Sequence, residues 1–82
     1  MRVADDSVQF PHEVVGYQLE QGLSLIGAWR KYRRLTQADL ATRLGISQPA
    51  LAQIEKPDAK PQPKTLARVA RALGVSVAQL RE

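Results

Sequence analysis

Gln48 and Gln53 stand five residues apart in the segment SQPALAQI, and the chemistry open to them is hydrogen bonding, not catalysis. A glutamine amide presents a donor and an acceptor side by side, which suits any edge that displays the complementary pair. Pro49 and Ala52 have no polar side-chain group, so what they can add is apolar contact. Ser47, just ahead, can cap the helix that carries all four. Covalent chemistry has no comparable support. His12 is the only histidine, there is no cysteine, and no glycine-rich phosphate loop or nucleophile, base and acid set is present. Asp5 and Asp6 are adjacent carboxylates on a polar terminus with nothing to preorganise them. No catalytic residue, metal site or cofactor is expected, since one histidine without cysteines is too few ligands for a zinc site.

The elements that must position these side chains lie in residues 35–55, LTQADLATRLGISQPALAQIE. Thr36 can accept from the Asp39 amide while the Asp39 carboxylate reaches back, so a helix starts at Gln37. Leu40, Ala41 and Leu44 follow on one face, and Gly45 supplies a left-handed end. Ile46 drops beneath the turn, Ser47 caps a second helix, and Leu51 and Ile54 give that helix its inward stripe. Elsewhere residues 1–6 read as disordered, residues 7–10 alternate like a short strand, and Pro11 opens a helix over His12 to Gln21 that Gly22 stops. Ser24 caps the next helix, in which Leu25, Ala28, Trp29 and Tyr32 share a side and Trp29 is a core anchor. The segment KPDAKPQPK reads as an irregular loop, residues 65–73 as an amphipathic helix closed by Gly74, and Ser76 as the cap of a last short helix.

At these residues the chain resembles the Cro and phage-repressor family of DNA-binding helix-turn-helix proteins, the xenobiotic-response-element type, over residues 24–81. The resemblance rests on Ala41, Gly45, the apolar set Leu40, Leu44, Ile46, Leu51 and Ile54, and the closing TLARVARALGVSVAQL. It implies an all-α, five-helix, lambda-repressor-like domain over residues 23–82, with residues 1–22 an extension of short strand and helix. An α-helix fits the major groove, so residues 47–54 would be the recognition helix, with Gln48 nearest the bases. Glutamine can pair bidentately with adenine, which makes Ser47, Gln48, Pro49 and Gln53 the candidate base contacts. Gln37, Arg43, Lys60 and Lys64 are the candidate phosphate contacts, Lys64 from just ahead of a helix whose dipole would reinforce it. The resemblance also implies that Arg30 pairs with Glu55 to fix helix orientation. Three departures from the family pattern are specific. Arg34 stands where glycine is frequent, which implies a strained or reshaped helix end; Pro49 lies in the first turn of the recognition helix; and Lys56, Pro57 and Asp58 replace a turn that usually contains glycine.

Charge sharpens the division of the chain. Residues 1–22 carry a net −3 and the remaining 60 a net +7, and a basic body suits a polyanion whose counterions it releases. At 82 residues only one modest core is available, so stability gained from a partner or a second copy is expected. Double-stranded DNA with a palindromic operator, read by a homodimer, is the expected partner. The first ten residues carry acids where a signal peptide would be apolar and no run is of membrane-spanning length, so a cytoplasmic location is expected. The string FPHEVV followed by GLSLIGAWRKYRRLTQADLA resembles small HigA-like bacterial antitoxins and regulators encoded beside toxins of the RelE and HigB type. That resemblance implies a repressor of its own operon, with Val8, Phe10, Val14 and Tyr17 as candidate contacts to a toxin or a second copy. The contrasting reading is a protein-interaction module without specific DNA readout, which the blandness of Pro49, Ala50 and Ala52 favours.

Overall fold

The computed structural model of the chain describes residues 9–81, and among these there are five α-helices, one 3₁₀-helix and no strand. The helices are α1 (His12–Gln21), α2 (Leu25–Tyr32), α3 (Gln37–Leu44), α4 (Gln48–Ile54) and α5 (Pro63–Leu73), followed by the 3₁₀-helix η1 (Val77–Leu80). The strand expected over residues 7–10 is absent at Gln9 and Phe10; Ser7 and Val8, like residues 1–6, lie outside the described residues. The reason is visible at Gln9, whose carbonyl accepts from the Gln79 side chain while Phe10 turns its ring toward Trp29, leaving no strand to pair with.

The helix boundaries follow from their caps. Ser24, Thr36, Ser47 and Ser76 each accept from the backbone amide three residues on, so α2, α3, α4 and η1 all begin on a side-chain cap. Gly22, Gly45 and Gly74 close α1, α3 and α5 in the left-handed conformation. α5 begins two residues earlier than expected. Pro63 takes the first helical position, where its fixed φ is already helical and its missing amide hydrogen costs nothing. Arg34 has φ +61, the only positive value outside glycine among the described residues, so the position where the family favours glycine does demand its conformation.

One core unites the elements. Val14 of α1, Leu40 of α3, Leu51 of α4 and Val69 of α5 are fully buried and share a cluster with Leu25, Ile26, Ala28 and Trp29 of α2. Trp29 is the expected anchor. Its indole N–H donates to the Gln79 carbonyl at 2.9 Å, pinning η1, and its ring meets Tyr32 edge-on at 5.6 Å. Arg33 lies over both rings and donates to the carbonyls of Leu73 and Gly74, neutralising the negative end of α5. Among the described residues no helix is long and apolar enough to cross a membrane.

Candidate nucleic-acid interface

α4 is a seven-residue helix with a sharply divided surface. Leu51 is fully buried beneath it, while Ser47, Gln48, Pro49, Ala50 and Gln53 are exposed and Ala52 half-buried. The Ser47 hydroxyl accepts from the Ala50 amide at 3.2 Å, and Pro49 sits in the first turn, where its ring fits without breaking a helical bond. Gln48 and Gln53 thus present their amides to solvent from a helix clamped on its other side.

The clamp is polar and reaches from the core to the surface. Arg30 of α2 and Glu55, the residue that ends α4, are both buried and pair in a two-pronged contact, Nε to Oε2 at 2.7 Å and Nη2 to Oε1 at 3.2 Å. Arg30 Nη1 also donates to the Leu35 carbonyl at 2.7 Å, which ties down the linker into α3. Gln37, at the start of α3, donates to Glu55 Oε1 at 3.1 Å and accepts from the Gln48 amide at 3.5 Å. The result is a relay Arg30, Glu55, Gln37, Gln48 that joins α2, α3 and α4. The Glu55 carboxylate lies against Gly27, where a Cβ would stand at ordinary contact distance, 3.4 Å from Oε1.

Gln37 itself is held by the start of α3. Thr36 and Asp39 form the reciprocal cap, with Thr36 N–H donating to the Asp39 carboxylate at 2.9 Å and Asp39 N–H to the Thr36 hydroxyl at 3.0 Å. Hydrogen bonds to the carboxylate from the Thr36 amide first and then from the Thr36 hydroxyl hold the Asp39 carboxyl below its ordinary range, with Arg43 adding a smaller attraction.

The basic candidates occupy three separate places. Arg43 lines a shallow depression of about 180 Å³ with Arg68 and Arg71 of α5, where Arg68 also donates to the Leu44 carbonyl at the end of α3. Lys60 lines a larger cleft of about 500 Å³ between the end of α4 and the start of α5, together with Ile54 and Leu66. Lys64 is exposed in the first turn of α5 rather than ahead of it, because Pro63 starts that helix. Gln37 and Gln48 are therefore brought together, whereas Arg43, Lys60 and Lys64 are not grouped with them by any contact. Of the amino-terminal candidates, Val14 is fully buried, Phe10 and Tyr17 are half-buried, and Val8 lies outside the described residues. Phe10 packs toward Trp29, and the Tyr17 ring sits under Lys31. Arg68 and Arg71 were not singled out by sequence reasoning; their spacing on α5 alone does not reveal that α3 ends beside them.

Comparison with known proteins agrees with this geometry. The family model for the helix-turn-helix matches residues 26–80. The chain is 44% identical over 55 residues to an immunity repressor protein of Bacillus phage phi105, an alignment that covers 67% of this chain and 38% of the relative. It is 44% identical over 46 residues to the antitoxin HigA1 of Mycobacterium tuberculosis, covering 56% of this chain and 31% of the relative. The chain thus spans well under half the length of the curated relatives it matches.

Proposed function

The chain belongs to the helix-turn-helix family, and we propose that it is a sequence-specific DNA-binding transcriptional repressor, the antitoxin of a RelE- or HigB-type toxin operon whose promoter it controls. The observation that carries the reading is the division of α4, with a buried ion pair at its end and two glutamines exposed on a capped, rigid helix. An α-helix of this kind fits the major groove, where each base pair displays a distinct donor and acceptor pattern.

Gln48, nearest the amino-terminal end, pairs its amide with the N6 and N7 edge of an adenine, and Gln53 reads about one turn further along. Ser47 and Pro49 flank that contact, Pro49 through its ring. Gln37 donates to a phosphate while its acceptor oxygen orients the Gln48 amide, so the relay sets the direction of the reading group before DNA arrives. Lys64, in a first turn with no acidic residue and with open amides around it, anchors a second phosphate. Arg43 and Lys60 add to the long-range attraction of a body that carries a net +7 beyond residue 22.

A single short helix covers only a few base pairs, so two copies act together on half-sites about 34 Å apart. The antitoxin part of the reading draws on the HigA1 relative and on the acidic balance of residues 1–22, which complements a basic toxin. Footprinting on the chain's own promoter, with and without the product of the adjacent gene, tests both parts. Two protected half-sites one helical turn apart, with protection altered by the neighbouring product, is the expected result. Absence of protection at any site overturns the repressor, and an unchanged footprint without copurification overturns the antitoxin.

A further inference from the structure

The turn after α4 is where this chain departs from the family pattern, with Lys56, Pro57 and Asp58 in place of a glycine-containing turn, and it walls a cleft that the reading of bases by α4 leaves unexplained. Two backbone bonds hold that wall: the Lys56 amide donates to the Gln53 carbonyl at 3.4 Å and the Ala59 amide to the Lys56 carbonyl at 2.9 Å. Pro57 and Pro61, which also line the cleft, fix φ where they stand. The cleft therefore exists before anything enters it. At about 500 Å³ it has the size of a site for a small organic molecule.

Its floor is apolar and its mouth is basic. Ile26 of α2 and Leu80 of η1 are buried in the floor, and Ile54 of α4 and Leu66 of α5 are half-buried there. The charged side chains lining the cleft are Lys56, Lys60, Arg81 and Asp58, so the two lysines alone outnumber the one carboxylate. None of the three cationic heads has a hydrogen-bond or ion-pair partner among the described residues. Glu55, beside Lys56 in the chain, is already engaged by Arg30 and Gln37. Ser24 adds an independent sign of a missing ligand. It is 4% exposed, lines the cleft and accepts from the Gly27 amide at 3.2 Å, but its own hydroxyl hydrogen has no acceptor among the described residues.

We infer that this cleft binds a small organic acid free in solution, a monocarboxylate with an apolar body of about ten carbons. The body covers Ile54 and Leu66, the carboxylate meets Lys56 and Lys60 at the mouth, and the Ser24 hydroxyl is a donor for an oxygen carried on the body. A neutral molecule leaves the lysines unanswered and a cation is repelled by them, so charge selects the acid. A bare phosphate leaves the floor in water. Resting on the repressor reading, the same acid is an effector: it neutralises Lys60 and sits against Ile54, the residue before the Glu55 clamp, so promoter affinity falls at saturation.

The site itself is tested without DNA. Titrating the full chain with decanoate, below its micelle concentration, should give saturable NMR shifts at the Ile54, Ala59 and Leu66 amides, with a dissociation constant of about 1 mM or tighter. The Leu19 amide, on the exposed apolar face of α1, should not move. Decyltrimethylammonium, the same tail with the opposite charge, should bind at least about tenfold more weakly to the parent. Lys56→Glu combined with Lys60→Glu should weaken decanoate by at least about tenfold and leave the melting temperature unchanged, because both side chains are exposed. Ala59→Trp fills the cleft and abolishes binding while the helical circular dichroism is kept. The proposal is overturned by the absence of saturable shifts, by equal shifts at Leu19, or by equal affinity for acid and ammonium. Binding to phosphatidylglycerol vesicles but not to free decanoate overturns it too. Decanoate binding that leaves promoter affinity unchanged overturns the effector role. A chain that binds decanoate and has no affinity for promoter DNA breaks the repressor reading instead and leaves the site standing.

Discussion

α4 and α1 are both short helices held down by one fully buried aliphatic side chain, Leu51 in the first and Val14 in the second, yet they expose opposite chemistries. α4 starts on a working serine cap, ends on a buried ion pair and turns glutamines outward. α1 starts without a side-chain cap, has a glycine at its centre and turns leucine and valine outward. A helix whose backbone ends and underside are all satisfied can afford a polar outer face that stays in water until a polar partner arrives. α1, closed by Gly22 at its carboxyl end, instead leaves Val15 and Leu19 in water. The two helices thus present a polar face fixed from below and an apolar face in water.

The largest expected effect comes from removing the clamp. Glu55→Ala leaves Arg30 charged, buried and without its acid, and a loss of about 3 to 5 kcal/mol in chemical denaturation is expected. For a domain of this size that is a large share of the total, and DNA binding falls with it. A variant as stable as the parent would show that α4 is not held from below. Thr36→Ala removes the cap that sets Gln37 and should cost about 1 kcal/mol by the same measurement. Gly16→Ala should act in the other direction, raising stability by about 0.5 to 1 kcal/mol. A loss of stability would mean that α1 needs glycine for its own packing. The smallest effect is in acid. Folding depresses the Asp39 pKa, so its contribution is present above the ordinary carboxylate range and is lost as pH falls through the folded value. Melting temperature from about pH 5 down to about pH 2 should therefore fall more steeply for the parent than for Asp39→Asn.

The same contrast explains what could be read in advance. The start and end of α3 and the start of α4 are written within four residues of where they occur, in Thr36, Asp39, Gly45 and Ser47, and the structure forms each of those caps. At Arg34 the resemblance implies a strained or reshaped helix end, and the structure gives that residue a positive φ. What escaped depends on distant partners. Arg33 reaches the end of α5 across 40 residues, Arg68 reaches the end of α3 across 24, and Gln79 reaches Gln9 across 70. The supposed strand failed for that reason: alternation at residues 7–10 suits a strand, but at Gln9 and Phe10 the available neighbours are a glutamine side chain and a tryptophan ring. The link from Gln37 to Glu55 likewise needed the fold, since nothing at either position marks the other.

The most direct test of the account is the affinity of the Gln48→Ala chain for its footprinted promoter site and for a random duplex of equal length, by fluorescence anisotropy at fixed salt. The account predicts a loss of about 1 to 3 kcal/mol on the promoter site and almost none on the random duplex. Equal losses on both, or no loss on either, would contradict the claim that the exposed face of α4 reads sequence.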